Sequence, residues 1–464
     1  MKALAALAVL AAALYLSNLT ANPPGFFGDE CSVSYNALTI ARHSTDEWGT
    51  RLPLFFKALG DYKNPVLIYV LAAVFKVFGP SVLVARAVVA LCGLLTAFVM
   101  AGLASPRERP LVFALTAFTP MLFEISRLVF EVAVEPLATA LFLYALWRAR
   151  AKERWGGAEV AGITATLLLI TYAYSTGRLL GPLLLLGMAV ALYTPRRRGA
   201  LAATVALYIL LAALPLAVYD RRHDGALTAR FQTITYVDAQ KPLMTLLQFE
   251  KHVVINLTPL AMTLGGDPNS RHHVPGSGGS ILLITVLLAV AGAVVALRRD
   301  PRDRWTWFLL YGALASVVPA SLTNDALHTL RLASYPIFLI ALSIKALEAC
   351  RGHRLRLVAV WAAAALQIAF FVWRFETLGP NRVPEFGAGA DQVVDDVIAA
   401  RQFPMHTGGS SYMNVIWFAT LNGEQRRVSL DPPKTGDVFV TVEAAPPGAA
   451  IISEHGSFRA YVVP

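Results

Sequence analysis

Long apolar runs recur along the 464-residue chain, separated by short polar segments. A transmembrane helix needs roughly 20 consecutive apolar residues. Runs of about this length predict spans at 1–19, 83–104, 110–126, 131–148, 159–176, 178–194, 200–219, 279–297, 305–322, 332–349 and 357–374. The pattern therefore predicts a polytopic α-helical membrane domain with about eleven transmembrane helices, over residues 1–375.

Basic residues fall in the loops that this map assigns to the cytoplasm. The first run lacks a small-x-small cleavage site, which favours an uncleaved span with a cytoplasmic N-terminus over a signal peptide. The five cytoplasmic loops are then short and rich in arginine: 106–109, 148–154, 196–198, 298–304 and 351–356. Since short cytoplasmic loops carry an excess of Lys and Arg, the orientation follows from this distribution.

Two outer segments are too long to be simple connectors. The first, residues 20–82, contains an amphipathic stretch from Cys31 to His43 and an apolar run from Pro65 to Phe78. That run is too short for a span, so we expect interfacial helices in this loop. The second long outer segment covers residues 219–278.

The composition changes after residue 375. Residues 376–464 are polar, with a helical pattern at Gly389–Ala400 and strand-like runs at Tyr412–Thr420, Val438–Val442 and Ala449–Pro464. An odd number of spans from a cytoplasmic start places this segment outside. It is therefore predicted to be a small extracytoplasmic α/β module.

Composition agrees with a membrane protein. The chain is 56% hydrophobic and only 15% charged, with a mean hydropathy of +0.55, whereas soluble domains carry about a quarter charged residues. The net charge of +10 could indicate nucleic acid as a partner. Because the basic residues are confined to short loops, nucleic acid is excluded as a partner, and the lipid bilayer remains as the partner.

Charged residues near a membrane face are costly unless they are paired or functional. Asp29 and Glu30 begin a helical pattern just after the first span, where negative charge suits the helix dipole; the alternative is a simple N-cap. Lys63 precedes the short apolar run, and Arg86 lies just inside the second span. Either could instead extend to the lipid headgroups.

Further charged residues lie on the same predicted face. Arg127 and Glu131 are four residues apart and could form a plain ion pair. The others are Arg178, Asp267, Arg271, His272, Asp325, His328 and Arg331. Metal binding by Asp267 and the His272–His273 pair is an alternative, but adjacent histidines seldom converge on one ion, so we predict no metal site.

In their order on one membrane face, these features resemble the GT-C membrane glycosyltransferases. The most similar branch contains protein O-mannosyltransferases and the aminoarabinose transferases that modify lipid A. The resemblance covers about residues 1–375 and rests on Asp29-Glu30, Lys63-Asn64-Pro65-Val66-Leu67 with Phe78-Gly79, Arg86, Ser126-Arg127 with Glu131, Gly266–His272, and Asp325, His328 and Arg331. Two positions depart from the family pattern: Asn64 replaces the first proline of a Lys-Pro-Pro motif, and Glu131 stands where relatives often carry aspartate.

The resemblance implies transfer of a hexose or pentose from a polyprenyl-phosphate donor to a hydroxyl acceptor (protein, lipid or glycan) at a bacterial inner membrane, with no cofactor or metal. Asp29 would be the general base and Glu30 would position the acceptor. Lys63, Arg178 and Arg331 would stabilise the lipid-phosphate leaving group. The supporting residues would be Arg86, Arg127, Glu131, Asp267, Arg271, His272, Asp325 and His328.

Two other classes of function remain open at this point. A flippase or transporter of a lipid-linked sugar would also carry membrane-embedded charges, although such proteins usually show internal repeats and polar residues at mid-depth. A non-catalytic subunit could keep the fold without the activity. The glycosyltransferase hypothesis requires Asp29, Lys63, Glu131, Arg178 and Arg331 to converge on one cavity.

Overall fold

The computed structural model describes residues 2–464, so Met1, where the first predicted span starts, lies outside the described residues. The chain is 64% helical. In chain order the α-helices are α1 (Lys2–Leu16), α2 (Gly28–His43), α3 (Pro65–Phe78), α4 (Val82–Gly102), α5 (Arg109–Ala117), α6 (Pro120–Ile125), α7 (Glu135–Ala149), α8 (Gly157–Ala173), α9 (Gly177–Ala191), α10 (Arg198–Tyr208), α11 (Leu214–Arg222), α12 (Ala229–Ile234), α13 (Pro242–Leu257), α14 (Leu283–Arg299), α15 (Arg304–Ser321), α16 (Tyr335–Ala349), α17 (Arg354–Leu378), α18 (Ala390–Ala399) and α19 (Tyr412–Leu421).

Two sheets accompany the helices. Strands β1 (Phe56–Ala58) and β2 (Asp61–Lys63) form an antiparallel hairpin between α2 and α3. The second sheet has the order β4-β3-β5-β7-β6. Its strands are β3 (Met405–His406), β4 (Val428–Ser429), β5 (Val438–Thr441), β6 (Ala450–His455) and β7 (Phe458–Val462). Strand β3 runs parallel to β4 and β5, and β7 runs antiparallel to β5 and β6.

Within residues 2–464, four helical stretches are long and apolar enough to cross a membrane. They are Val82–Gly102, Glu131–Ala149, Arg198–Arg222 and Arg354–Asn381. Shorter apolar helices include α1, α3, α8 and α9. Every predicted span except 110–126 coincides with one continuous helical stretch. The number of eleven spans stays a prediction, as does the interfacial position of α2 and α3.

The apolar run at 110–126, predicted to be one span, does not form one continuous helix. The chain forms α5 and then α6, and Thr119 between them adopts an extended conformation (ψ 121°). Pro120 explains the break, because proline lacks a backbone N–H and disfavours the helical conformation of the residue before it.

The predicted strand at Tyr412–Thr420 is wrong, since these residues form α19. The segment is rich in residues that favour strands, which misled the prediction. It connects β3 to β4, and these strands are parallel. A parallel pair needs a crossover connection, usually a helix, so the topology overrides local propensity.

The chain divides into two compact units. The first contains the described residues up to Tyr15, Ala90–Ser126 and Glu131–Trp373. Its core is a continuous apolar cluster supplied mainly by α5, α7, α8, α9, α15 and α16, with Phe142, Phe308 and Phe338 at most 1% exposed.

The second unit joins the first outer loop to the C-terminal residues. It contains Leu16–Val89, Arg127–Phe130 and Arg374–Pro464. The buried ring of Trp417 on α19 packs against Phe26 at 5.8 Å and Phe75 at 6.1 Å between ring centroids. The residues after 374 thus pack directly on the loop that carries α2. The domain boundary predicted at 375/376 stays a prediction.

Candidate functional site

Asp29 pairs with Lys63 at the start of α2. The Lys63 Nζ lies 2.7 Å from the Asp29 Oδ1, and the two side chains are 15% and 37% exposed. Lys63 is the last residue of β2, so the β1–β2 hairpin places its ammonium group beside the first turn of α2. Asp29 also lies where the helix dipole favours a negative charge. A partly exposed carboxylate held in place by a cation is able to meet a substrate.

Glu30, in contrast, is fully enclosed. Its Oε1 and Oε2 accept hydrogen bonds from Arg86 Nε (3.0 Å) and Nη2 (2.8 Å), and both side chains are 0% exposed. The amides of Phe27 and Val129 donate to the same carboxylate, each at 3.0 Å. The Arg86–Glu30 pair is bidentate, and all acceptor sites of the Glu30 carboxylate are occupied. Such a pair holds the surrounding backbone in place.

The remaining donors of Arg86 hold the turn that precedes α2. Its Nη1 donates to the carbonyls of Leu19 and Pro23, and its Nη2 donates to that of Gly25, each at 2.8 Å. The expectation that Arg86 could extend to the headgroups is wrong, because Arg86 is buried under this loop.

Gly25 must be glycine for two reasons. Its φ of +74° lies in the left-handed region. A Cβ at this position would also lie 2.5 Å from the backbone nitrogen of Ala388. The turn before α2 and the C-terminal residues therefore meet backbone to backbone.

Arg127 is fully buried and binds backbone as well. Its Nε donates to the Asn22 carbonyl at 2.9 Å and its Nη2 to the Ser17 carbonyl at 2.7 Å. Its guanidinium also lies over the Phe375 ring, at 5.4 Å. Glu131 belongs to the other compact unit, where it starts the 3-10 turn Glu131–Val134 and is 8% exposed.

A second polar cluster lies within the other unit, around Asp267. The Oδ2 of Asp267 accepts hydrogen bonds from the Thr329 amide (2.7 Å) and hydroxyl (2.8 Å), and lies 3.2 Å from His272 Nδ1. Its Oδ1 accepts from the Asn269 amide. Burial raises the pKa of Asp267, but His272 and the backbone amides outweigh this and hold the pKa well below its usual range.

Asp267, His272 and His328 could together hold a divalent cation. One ligand atom from each lies within 4.8 Å of the others, and the His272 and His328 ring centroids are 4.5 Å apart. Burial, followed by the charges of Arg331 and His272, lowers the pKa of His328 well below its ordinary value. A neutral imidazole suits metal ligation. The absence of a metal requirement stays a prediction.

The two candidate phosphate-binding arginines of this unit are anchored separately. Arg331 Nη1 donates to Asp325 Oδ2 at 2.8 Å and to the Thr323 hydroxyl at 2.7 Å. Arg178, in the first turn of α9, donates from Nη1 to the Leu227 carbonyl at 2.8 Å. Arg271 lies in the Asp267 loop, where its amide donates to the Asn269 side chain.

Sequence reasoning missed two buried glutamates. Glu124 binds the ring of His273 (2.7 Å) and the amide of Val274 (2.7 Å). Glu135 binds hydroxyl groups of α9 and α16. Both glutamates interrupt apolar runs, and this was the available signal.

The structure thus brings together Asp29 with Lys63, Glu30 with Arg86, Asp267 with His272 and His328, and Arg331 with Asp325. The convergence of Asp29, Lys63, Glu131, Arg178 and Arg331 on one cavity stays a prediction.

Comparisons with known proteins identify the fold. No protein-family profile and no curated protein match the chain. Two solved structures of ArnT from Cupriavidus metallidurans do match: bound to undecaprenyl phosphate (TM-score 0.63) and in the apo state (0.62), each 13% identical and covering 98% of this chain and 97% of that one.

A third solved structure is the oligosaccharyltransferase AglB from Archaeoglobus fulgidus, in complex with an inhibitory peptide and a dolichol-phosphate. Its TM-score is 0.51 at 14% identity, over 92% of this chain and 64% of that one. Both neighbours belong to the GT-C superfamily. The chain therefore has the fold of these proteins, as the ordered motifs predicted, and four of its described helical stretches are long and apolar enough to cross a membrane.

Proposed function

We propose that this protein transfers a sugar from a polyprenyl-phosphate donor to a hydroxyl acceptor on the extracytoplasmic face of the membrane. The fold supports this proposal, because the matched structures include ArnT bound to undecaprenyl phosphate and AglB bound to a dolichol-phosphate. The observation that carries it is the Asp29–Lys63 pair, a partly exposed acid beside a cation at the start of α2.

Asp29 acts as the general base. A hydroxyl is a weak nucleophile, and a carboxylate within hydrogen-bond reach takes its proton as it attacks. The acceptor oxygen forms the new bond to the anomeric carbon, the bond from that carbon to the phosphate oxygen breaks, and its electron pair leaves with the polyprenyl phosphate. The acceptor proton ends on Asp29.

Lys63, Arg178 and Arg331 stabilise the leaving group. Negative charge builds on the phosphate oxygen in the transition state, and fixed cations lower the energy of that charge. An ammonium group has three donor hydrogens, so Lys63 can keep Asp29 while it also contacts a phosphate oxygen. Arg331 is held by Asp325 and Thr323 with further guanidinium donors left for a ligand.

Glu30, Arg86 and Arg127 act as positioning residues. The enclosure of Glu30 by Arg86 and two amides favours this role over direct contact with the acceptor. Asp267, Arg271, His272, Asp325 and His328 support the loop around Arg331, and Glu131 orients the sugar or an arginine.

The proposed orientation has a cytoplasmic N-terminus and extracytoplasmic C-terminal residues in a bacterial inner membrane, and it requires the arginine-rich loops to lie on one face. Arg351 binds Glu108 through two hydrogen bonds of 2.7 Å. Arg197 donates to the Arg150 carbonyl at 2.8 Å, and Arg304 donates to the Tyr193 carbonyl at 2.8 Å. Two pairs of loops assigned to the cytoplasm thus contact each other, and Arg304 of a third contacts the end of the predicted span 178–194, which agrees with their lying on one face.

Replacement of Asp29 tests the function directly. We expect Asp29→Asn to reduce sugar transfer at least a hundredfold, because the amide cannot take the proton, while undecaprenyl phosphate binding stays within about threefold. The measurement is a mass-spectrometric comparison of surface glycans, glycolipids and glycoproteins from cells that carry either form. Asp391→Asn, an exposed acid of the same compact unit, is the matched control and keeps full activity.

Two outcomes contradict the proposal. Unchanged glycosylation in cells with Asp29→Asn would indicate a non-catalytic subunit. Passage of a labelled lipid-linked sugar across proteoliposome membranes, with no sugar on any acceptor, would indicate a transporter.

A further inference from the structure

Glu135 is a buried carboxylate inside the helical unit. It is the first residue of α7 and is 1% exposed. Its Oε2 accepts a hydrogen bond from the Thr176 hydroxyl at 2.5 Å, and its Oε1 accepts one from the Ser334 hydroxyl at 2.8 Å. The Thr139 hydroxyl lies 2.8 Å from the Ser334 hydroxyl and extends the network. A buried acid in a membrane protein is costly, so its retention calls for a reason.

The two hydroxyl partners occupy special positions in the chain. Thr176 is the N-cap of α9 and Ser334 is the N-cap of α16. Serine and threonine at this position normally cap their own helix and so stabilise it. Here neither side chain caps its helix. Both hydroxyls bind Glu135 instead, so the N-termini of α7, α9 and α16 meet at one carboxylate.

The convergence of three helix N-termini explains how the Glu135 carboxylate is stable in a buried position. Helix N-termini carry partial positive charge, which stabilises an anion near them. Two hydroxyl donors satisfy the carboxylate oxygens. The arrangement holds the three helix starts together without a cation in the network formed by Glu135, Thr176, Ser334 and Thr139.

Each tethered helix start lies beside one candidate phosphate-binding arginine. Arg178 is two residues after Thr176, in the first turn of α9. Arg331 is three residues before Ser334, in the 3-10 turn Thr329–Leu332. We infer that Glu135 is a positioning residue that fixes Arg178 and Arg331 relative to each other for binding of the donor phosphate. This inference rests on the proposed function.

Binding of undecaprenyl phosphate to the purified full-length protein tests the inference. We expect Glu135→Leu, which keeps the volume but removes both hydrogen-bond acceptors, to weaken binding about tenfold. Glu135→Gln restores one acceptor, and its amide can donate to the other hydroxyl, so its affinity should stay within about threefold of the original. Ser343→Ala is the matched control: Ser343 is also buried in α16, but its hydroxyl binds only its own helix, at Ile340.

Combination with arginine variants separates positioning from a general loss of stability. If Glu135 acts through the arginines, Glu135→Leu should add less than twofold to the weakening caused by Arg178→Ala and Arg331→Ala together. Full multiplication of the two effects would overturn the inference. So would a Glu135→Gln protein as weak as Glu135→Leu, since the carboxylate would then act directly.

The arginine variants also show which proposal fails. If Arg178→Ala and Arg331→Ala leave undecaprenyl phosphate affinity unchanged, the phosphate assignment in the proposed function is wrong, and the inference falls with it. If these variants weaken binding but Glu135→Leu does not, only the positioning role is wrong.

Discussion

Burial separates the charged residues of this protein into two kinds. Asp29 and Lys63 keep exposed surface, whereas Glu30, Arg86 and Arg127 are enclosed and bind each other or backbone carbonyls. Sequence position identified all five as related, because each follows or precedes an apolar run on the same predicted face. It could not tell a partly exposed acid from a fully buried one, since Asp29 and Glu30 are adjacent and only the rotation of α2 distinguishes them.

Glu47 gives a test at the scale of one residue. Burial raises its pKa to about 7 from an ordinary 4.5, opposed by a hydrogen bond with Asn36 and assisted by the charge of Asp46. Because the pKa of Glu47 is higher in the folded protein than in the unfolded chain, the contribution of Glu47 to stability is greatest at low pH and falls as pH rises from about 4.5 to about 7.

We therefore expect Glu47→Gln to be more stable than the original protein at pH 8, by on the order of 1 kcal/mol, and equally stable near pH 4. Thermal unfolding followed across this pH range is the measurement. A difference between the two proteins that does not change with pH would show that Glu47 is not buried in the way described.

At the scale of elements, most helices could be predicted from the sequence, whereas α19 could not. Apolar periodicity located α3 and the four long apolar stretches because a lipid-facing helix must be apolar over its whole length. The break at Thr119 followed from Pro120, a signal that was present in the sequence. The sequence of α19 alone does not predict a helix, because the helical conformation depends on the parallel pairing of β3 with β4.

Trp417 on α19 tests how the C-terminal residues support α2. Its ring is fully buried between Phe26 and Phe75, and Asn414, one turn earlier, donates to the Phe26 carbonyl at 2.6 Å. We expect Trp417→Ala to destabilise the protein by about 3–5 kcal/mol and to lower sugar transfer, because the start of α2 loses its support.

Thermal unfolding and a transfer assay at a temperature where the variant stays folded measure the two effects. Trp373→Ala is the matched control, since that ring is 58% exposed and should cost far less. Normal activity in a strongly destabilised Trp417→Ala protein would mean that α2 does not depend on α19.

For the whole molecule, the proposed orientation in the membrane rests on the arginine residues of five short loops. Cysteines introduced one at a time at 224 and 300, in a protein whose Cys31, Cys92 and Cys350 are replaced by alanine, test it in intact spheroplasts. We expect a membrane-impermeant maleimide to label Asp224→Cys and not Asp300→Cys until the membrane is opened. The reverse pattern would invert the proposed topology.

The contact between Asn414 and Phe26 spans 388 positions of the chain. Because ribosomes make proteins from the N-terminus, the segment that contains Phe26 is synthesised long before Asn414. The start of α2 therefore acquires its native contacts only after 388 further residues have followed Phe26.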